Sequence, residues 1–174
     1  LMQGNKANGL GITITNKDSF YRAAQKLEST EFKGEVDIEK AIVNMESPGR
    51  DDGLTVIISD FLTDSNWKKA IDFLMYQRKE ILMIQVLSPD EMFPDLDGRI
   101  DMLDSEARDP ADPRNMRLVM TKKMVKAYQK ALDEYEQELV DFCASRNATF
   151  FTVTSDEPIE KVIFGKGYET EIIR

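Results

Sequence analysis

The stretch Leu54-Thr-Val-Ile-Ile-Ser-Asp60 decides the fold class of this chain. It is an apolar run that ends in an acidic residue. A second apolar run, Ile81-Leu-Met-Ile-Gln-Val-Leu87, follows an intervening amphipathic helix that a cap at Asp64 or Ser65 is expected to begin. Such runs are typical of parallel strands that are buried on both faces, and strand, helix and strand form a βαβ unit. The two runs therefore predict an α/β fold with a mostly parallel sheet.

The residues before this unit predict one more strand and two helices. Leu10-Gly-Ile-Thr-Ile-Thr15 alternates apolar and polar side chains, and Leu1-Met-Gln3 is interpreted as the tail of its hairpin partner. A helix is expected from a cap at Asn16 or Ser19 to about Ser29, and a shorter helix from about Asp37 to Met45.

The residues after the unit predict an insertion, a long helix and a last strand. Residues 90 to about 120 are rich in Asp, Pro and Gly, and Arg99–Leu103 and Met116–Met120 are expected to pair as a small hairpin arm. Insertions of this length are usually functional or disordered. The arm is expected to project and bind a partner, and the alternative is a lid over the sheet edge. A long helix from about Thr121 to Arg146 and a strand at Thr149–Thr154 complete a single domain over residues 1–174.

The composition excludes several classes of site. The chain has no histidine, which removes Ser-His-Asp and Cys-His catalysis and the usual zinc sites. Its one cysteine, Cys143, cannot form an internal disulfide and is expected to be a buried, inert thiol. A net charge of -9 argues against binding to nucleic acid backbones. The sequence shows neither a long apolar span nor a signal peptide, so we expect a cytoplasmic protein.

Acidic and hydroxyl side chains follow three of the predicted strands. They lie in Ser59-Asp60, in Ser88-Pro-Asp-Glu91 and in Thr154-Ser-Asp156. Ligands of open α/β sheets bind at the carboxyl ends of the strands, and these oxygen ligands suit Mg²⁺. The alternative is that the same residues cap helices and close turns. Asp60 is the strongest candidate for a functional residue, because it ends an apolar strand.

Several stretches in a fixed order carry a resemblance to a known family. They are Gly34–Ile42, Leu54–Leu62, Ile84–Glu91, Asp104–Glu106, Tyr128, Cys143 and Thr154–Pro158. In order and spacing they resemble the bacterial proteins of domain-of-unknown-function family 58, whose domain is similar to a von Willebrand factor A domain. The resemblance implies a six-stranded Rossmann-like sheet with helices on both faces.

The resemblance also implies a metal-ion-dependent adhesion site, built from a D-x-S-x-S strand end, a Thr in a second loop and an Asp in a third. Asp60 matches the third-loop Asp. In the second loop Val36 stands where the hydroxyl ligand belongs, beside Asp37, while Ser59 precedes Asp60. D-x-S-x-S does not occur, and the strand and helix that carry it are expected before Leu1. The metal site is therefore expected to be incomplete, with no cofactor in this chain and Mg²⁺ in a complete homologue.

Relatives of this family are often encoded beside MoxR-class AAA ATPases, and many carry an N-terminal membrane anchor. The resemblance thus implies a non-enzymatic adaptor or chaperone-like partner of such an ATPase, held at the membrane where an anchor is present. The rival hypothesis is a Mg²⁺-dependent phosphoryl-transfer or phosphodiester-cleaving enzyme, which needs several converging carboxylates. Only Asp60 ends an apolar strand convincingly.

The resemblance places the absent first strand beside Leu54–Asp60. Without it, the Leu54–Asp60 strand would keep an unpaired apolar edge, which favours association with another strand. Two repairs are expected as alternatives: an inward shift of the N-terminal strand, or association of two chains across the gap, which we favour.

Overall fold

The computed structural model describes residues 2–3, 6–7, 12–30, 36–44, 53–95, 98–102 and 116–166. It begins with a short antiparallel hairpin of β1 (Met2–Gln3) and β2 (Lys6–Ala7). Helix α1 (Lys17–Glu28) follows a capping box in which the Asn16 side chain accepts a hydrogen bond from the Ser19 N–H. Helix α2 (Ile38–Val43) is capped by Asp37, whose side chain accepts a hydrogen bond from the Lys40 N–H.

The βαβ unit is confirmed. It consists of β3 (Gly53–Ser59), α3 (Trp67–Tyr76) and β4 (Lys79–Leu87), and the two strands pair in parallel. The short helix α4 (Pro89–Met92) follows directly, because Ser88 and Glu91 form a reciprocal capping box at its start.

The predicted pairing of the arm strands, the long helix and the last strand are confirmed as well. The arm consists of β5 (Gly98–Met102) and β6 (Met116–Met120), which form an antiparallel sheet of their own. The long helix α5 (Lys122–Ser145) leads to β7 (Thr149–Thr154), and α6 (Ile159–Lys161) runs into a π-helical turn, Val162–Lys166. The main sheet has the strand order β3-β4-β7, and both of its pairings are parallel. The fold is therefore α/β, with a mostly parallel sheet flanked by helices.

The hydrophobic core lies between this sheet and the helices α2, α3 and α5. Ile57 of β3 and Met83 of β4 point into it. Trp67 at the start of α3 packs edge-on against Phe61 and Phe142, with ring centroids 6.5 Å and 4.9 Å away. The aromatic contact with Phe142 joins α3 to α5. Two ion pairs strengthen this contact: Lys68 of α3 pairs with Glu138 of α5, and Asp72 of α3 pairs with Arg146, which follows the end of α5.

The expectation that the first apolar run is buried on both faces is wrong. Leu54, Val56 and Ile58 of β3 are 46%, 45% and 65% exposed, whereas Ile57 is buried. Since β3 is an edge strand of the three-stranded sheet, its side chains have a neighbouring strand on one side only within the described ranges. An apolar run in the sequence does not reveal how many neighbours a strand has.

The N-terminal strand also differs from the expectation. Residues 12–15 of the expected strand Leu10–Thr15 have no regular structure, and β1 pairs with β2 instead. The intervening dipeptide Gly4-Asn5 is itself a hairpin signal. Because β1 and β2 pair with each other, the inward shift toward β3 is not found in the part of the chain that is described.

Two further expectations need correction. Helix α3 is capped by Asn66, whose side chain accepts from the Lys69 N–H, and not by Asp64 or Ser65. The described residues contain a three-stranded sheet and two two-stranded sheets, in place of the six-stranded sheet that the resemblance implies.

Some expectations fall on residues outside the described ranges. These residues are the end of the expected α2 at Met45 and the end of the arm strand at Leu103. The same holds for the following residues of the resemblance: Gly34, Glu35 and Asp104–Glu106.

Candidate functional site

The carboxyl ends of the three parallel strands form one edge of the sheet. The register pairs Ser59 with Gln85 and Leu87 with Thr154, so β3, β4 and β7 end side by side. The segments that follow them, residues 60–66, 88–92 and 155–158, are here called the acidic edge. They carry acidic residues and no lysine or arginine; the acids are Asp60, Asp64, Asp90, Glu91, Asp156 and Glu157.

Asp60 is exposed at the start of this edge. Its Oδ1 accepts hydrogen bonds from the Leu62 N–H at 3.0 Å and from the Ser59 hydroxyl at 3.4 Å. The Ser59 Oγ in turn accepts from the Phe61 N–H at 3.1 Å. These bonds are typical of Asx and Ser turns, which fix the direction of a short loop. The turn orients the carboxylate of Asp60 and leaves the side chain open to solvent.

Phe61 adopts a conformation that is unusual for an aromatic residue. Its φ is 57°, in the left-handed region, although its side chain is fully buried. A bulky residue keeps such a backbone only where its surroundings hold it. The Tyr135 hydroxyl on α5 donates to the Phe61 carbonyl oxygen at 2.6 Å. Burial raises the pKa of Tyr135, which keeps its hydroxyl protonated and able to donate.

Gln85 holds the same turn from the middle of the sheet. It is fully buried, and its Nε2 donates to the Asp60 carbonyl oxygen at 2.9 Å. Its Oε1 accepts from the Thr152 hydroxyl on β7 at 3.0 Å. This chain of bonds links the ends of all three strands, so the position of Asp60 depends on β4, β7 and α5 together.

Glu136 on α5 lies next to this network. Burial raises the pKa of its carboxyl group, and a hydrogen bond with Thr152 opposes the shift. Its Oε1 is buried and has no hydrogen-bond partner within the described residues. Glu136 is therefore a partly buried carboxyl group on α5 whose surroundings disfavour the charged form.

The predicted second loop of a metal site lies near this turn without completing a site. The Ile38 N–H at the start of α2 donates to the Ser65 Oγ at 3.3 Å. Val36 is partly buried against the core, and its side chain offers no oxygen ligand. Asp37 caps α2 through the Lys40 N–H, and a hydrogen bond from the Lys40 side chain lowers the pKa of its carboxyl group. Asp37 is therefore already paired and serves the helix.

The described ranges contain no group of three or more acidic or cysteine side chains that could hold a metal ion. Ser88 and Glu91 cap α4, which confirms the capping interpretation for that pair. The expectation for Cys143 is also confirmed: it is buried, with its Sγ 3.4 Å from the Met83 Sδ, and burial raises the pKa of its thiol to about 11. A thiol with that pKa is a poor nucleophile at neutral pH.

Sequence reasoning missed Gln85 and Tyr135 as residues that position the site. One signal was present, because Gln85 is the polar residue inside the apolar run Ile81–Leu87. A polar side chain buried in a strand almost always has a hydrogen-bond partner. Its partner, the Asp60 carbonyl, belongs to the backbone and leaves no trace in a sequence pattern.

We expect no tight divalent-cation site in this chain. One carboxylate oxygen of Asp60 already accepts a hydrogen bond within the turn. The predicted second loop offers a cation only the apolar side chain of Val36 and the carboxylate of Asp37, which is paired with Lys40. Calorimetric titration with Mg²⁺ and with Mn²⁺ should show no saturable binding below about 1 mM, since hard cations need several oxygen ligands. A micromolar site that Asp60→Ala abolishes would contradict this expectation.

Comparison with known proteins gives a family without an assigned activity. An uncharacterized protein from Mycobacterium avium is 39% identical over 71 residues, which cover 40% of this chain and 41% of that protein. The chain thus spans about two fifths of that curated relative. No solved structure matches. The model of the family described as "Protein of unknown function DUF58" matches residues 13–138, well over half of the chain, and the chain therefore belongs to this family.

Proposed function

We propose that this chain is a non-enzymatic protein-interaction module that docks onto a protein partner through its acidic edge. The observation that carries the proposal is the charge of that edge, where six acidic residues lie in three adjacent segments without a lysine or arginine. Exposed apolar side chains accompany these acids: Leu62 within the edge, Phe93 after α4 and Ile159 at the start of α6. A surface of this kind complements a partner that presents cations around an apolar contact.

The hairpin arm provides the second part of the proposed docking surface. Its strands form a sheet separate from the main sheet, and Val119 on β6 is exposed. Phe93, which is 68% exposed, lies on the chain between the acidic edge and the arm. We propose that the partner contacts both the acidic edge and the arm.

We propose a cytoplasmic location, and the resemblance supplies the class of partner, an AAA ATPase of the MoxR class. It also supports a von Willebrand A-like sheet in which Asp60 is the remaining residue of a degenerate metal-ion-dependent adhesion site. The enzymatic rival requires carboxylates that converge on one or two metal ions. The described residues do not place three such groups together, which favours the interaction module.

The proposal is tested by removing charge from the acidic edge without disturbing its turn. In the variant Asp60→Asn/Asp64→Asn/Asp156→Asn, each amide keeps an oxygen acceptor, so the Leu62 N–H retains its partner on residue 60. Binding to the MoxR-class ATPase encoded in the same genome is measured by biolayer interferometry at two salt concentrations. We expect at least a tenfold loss of affinity, about 1.4 kcal/mol or more, and a weaker dependence on salt.

The matched control carries the same charge change elsewhere. Asp18→Asn/Asp133→Asn/Asp141→Asn alters three exposed acids on α1 and α5 and should change the affinity by less than about twofold. Equal losses in the two triple variants would show that net charge, and not the acidic edge, controls binding. If the wild-type chain does not bind the ATPase, the proposed partner class is wrong.

A further inference from the structure

The long helix α5 carries its charges in the reverse of the usual order. Its first part, residues 122–132, has four lysines and no acidic residue, whereas residues 133–141 have five acidic residues and no lysine or arginine. Because the N-terminus is the positive end of the helix dipole, acids are favoured in the first turns of a helix and cations in the last turns. The order of the charges along α5 therefore lowers the stability of the helix.

The four lysines also lie next to one another. Lys122, Lys126 and Lys130 are spaced four residues apart, which places them in line on the helix surface, and Lys123 lies beside this line. These four residues are here called the lysine row. All four are exposed, and among the described residues the one ion pair of the row joins Lys130 to Glu134, with 3.3 Å between Nζ and Oε1. Like charges four residues apart repel each other, so the row adds a second cost to the helix.

Other residues hold α5 against the rest of the domain. Leu139 and Phe142 belong to the hydrophobic core, and the ion pairs with α3 use Glu138 and Arg146. When a local rule is broken without a gain in packing, the residues concerned are often functional. Exposed lysines that destabilise their own helix point to a ligand of opposite charge.

The acidic part of α5 limits the length of that ligand. The lysine row extends from Lys122 to Lys130, about 12 Å along the helix axis. Asp133 and Glu134 are exposed three and four residues further on, so they continue the same side of the helix. A membrane surface or a nucleic acid strand along α5 would carry its anionic groups past Lys130 onto these acids and be repelled. A short acidic segment of a protein ends before them.

We propose that the lysine row binds a short acidic segment of a protein partner, with carboxylates about 6 Å apart, the spacing of acids at every fourth residue of a helix. Lys122, Lys126 and Lys130 then each face one carboxylate. The lysine row and the acidic edge take ligands of opposite charge, so the two surfaces are tested independently.

Fluorescence anisotropy with labelled peptides tests this binding. The probe is an alanine-based peptide of about 20 residues with glutamate at every fourth position, and the control peptide has glutamine at those positions. At about 0.1 M salt the Debye length is about 10 Å, which screens much of the net charge of -9 on the chain. We expect the glutamate peptide to bind with a Kd below about 1 mM and the glutamine peptide to show no saturable binding. In Lys122→Gln/Lys126→Gln/Lys130→Gln the affinity for the glutamate peptide should fall at least about tenfold.

The matched control removes three exposed cations elsewhere. Lys17→Gln/Arg22→Gln/Lys161→Gln changes α1 and α6 and should alter the Kd by less than about twofold. Equal losses in the two triple variants, or no saturable binding of the glutamate peptide to the wild-type chain below about 1 mM, would overturn the proposal.

Other occupants of the lysine row are tested at the same salt concentration. Vesicles that contain phosphatidylserine and a single-stranded DNA oligonucleotide should not bind the wild-type chain. Binding of either one that the lysine-row variant abolishes would assign the row to lipid or to nucleic acid. Self-association in sedimentation velocity that the same variant abolishes would assign it to a second copy of the chain. Each of these results would overturn the proposal.

Lys126→Glu tests the cost of the lysine row to the helix. Glutamate at this position faces Lys122 and Lys130, so two repulsions become two attractions, and an acid lies closer to the helix N-terminus. We expect the urea midpoint to rise above that of the wild-type chain, while the affinity for the glutamate peptide falls at least about fivefold. A lower midpoint would show that Lys126 stabilises α5, and the reason for assigning the row to a ligand would be lost.

Discussion

Replacing Trp67 with alanine is expected to lower the free energy of unfolding by about 3–5 kcal/mol. The indole is almost completely buried at the start of α3 and packs edge-on against Phe61 and Phe142. Its removal opens a cavity between the sheet, α3 and α5, and also deletes two aromatic contacts. A domain of this size is stable by roughly 5–15 kcal/mol, so the variant should lose a large part of its stability.

The measurement is urea denaturation followed by far-ultraviolet circular dichroism, because Trp67 is the one tryptophan of the chain and its fluorescence disappears in the variant. The matched control is Tyr76→Ala on the same helix, where the ring is 85% exposed. We expect it to cost less than about 0.5 kcal/mol. A loss below about 1 kcal/mol for Trp67→Ala would show that the aromatic contacts do not hold α3 against α5.

The elements that the sequence predicted well are those with strong local signals. The bounds of β7 agree with the expected Thr149–Thr154, and α5 begins after Thr121 as expected. A run of β-branched and aromatic residues defines the strand, and an apolar stripe with a capping threonine defines the helix. The cap of α3 was misplaced because Asp64, Ser65 and Asn66 are all good capping residues in succession, and only the geometry selects Asn66.

The environment of β3 was predictable only in part. The apolar run correctly indicated a strand. The exposure of Leu54, Val56 and Ile58 depends on which elements lie beside that strand, and this is a property of the tertiary structure. The position of Asp60 after the strand followed from the sequence. The network that orients its turn did not, because Gln85 and Tyr135 both act on backbone carbonyl groups.

Replacing Gln85 with methionine is expected to lower the free energy of unfolding by about 2 kcal/mol. Methionine fills a similar volume, so the change removes hydrogen bonds with little change in packing. The Asp60 carbonyl loses the Gln85 amide donor, and the Thr152 hydroxyl loses the Gln85 oxygen as an acceptor. Because both bonds are partly buried, water does not replace them fully. Urea denaturation measures the loss, and Gln137→Met, an exposed change on α5, is the matched control.

A double-mutant cycle then tests whether Gln85 and Tyr135 support the same turn. Tyr135→Phe alone removes the bond to the Phe61 carbonyl and should cost about 1 kcal/mol. Since the two side chains bind adjacent peptide groups around the strained Phe61, loss of either one frees the turn and weakens the contribution of the other. We expect a coupling energy of at least about 0.5 kcal/mol, together with faster amide exchange at Phe61 and Leu62. Strictly additive losses with unchanged exchange would mean that the two bonds stabilise the fold separately and do not orient Asp60.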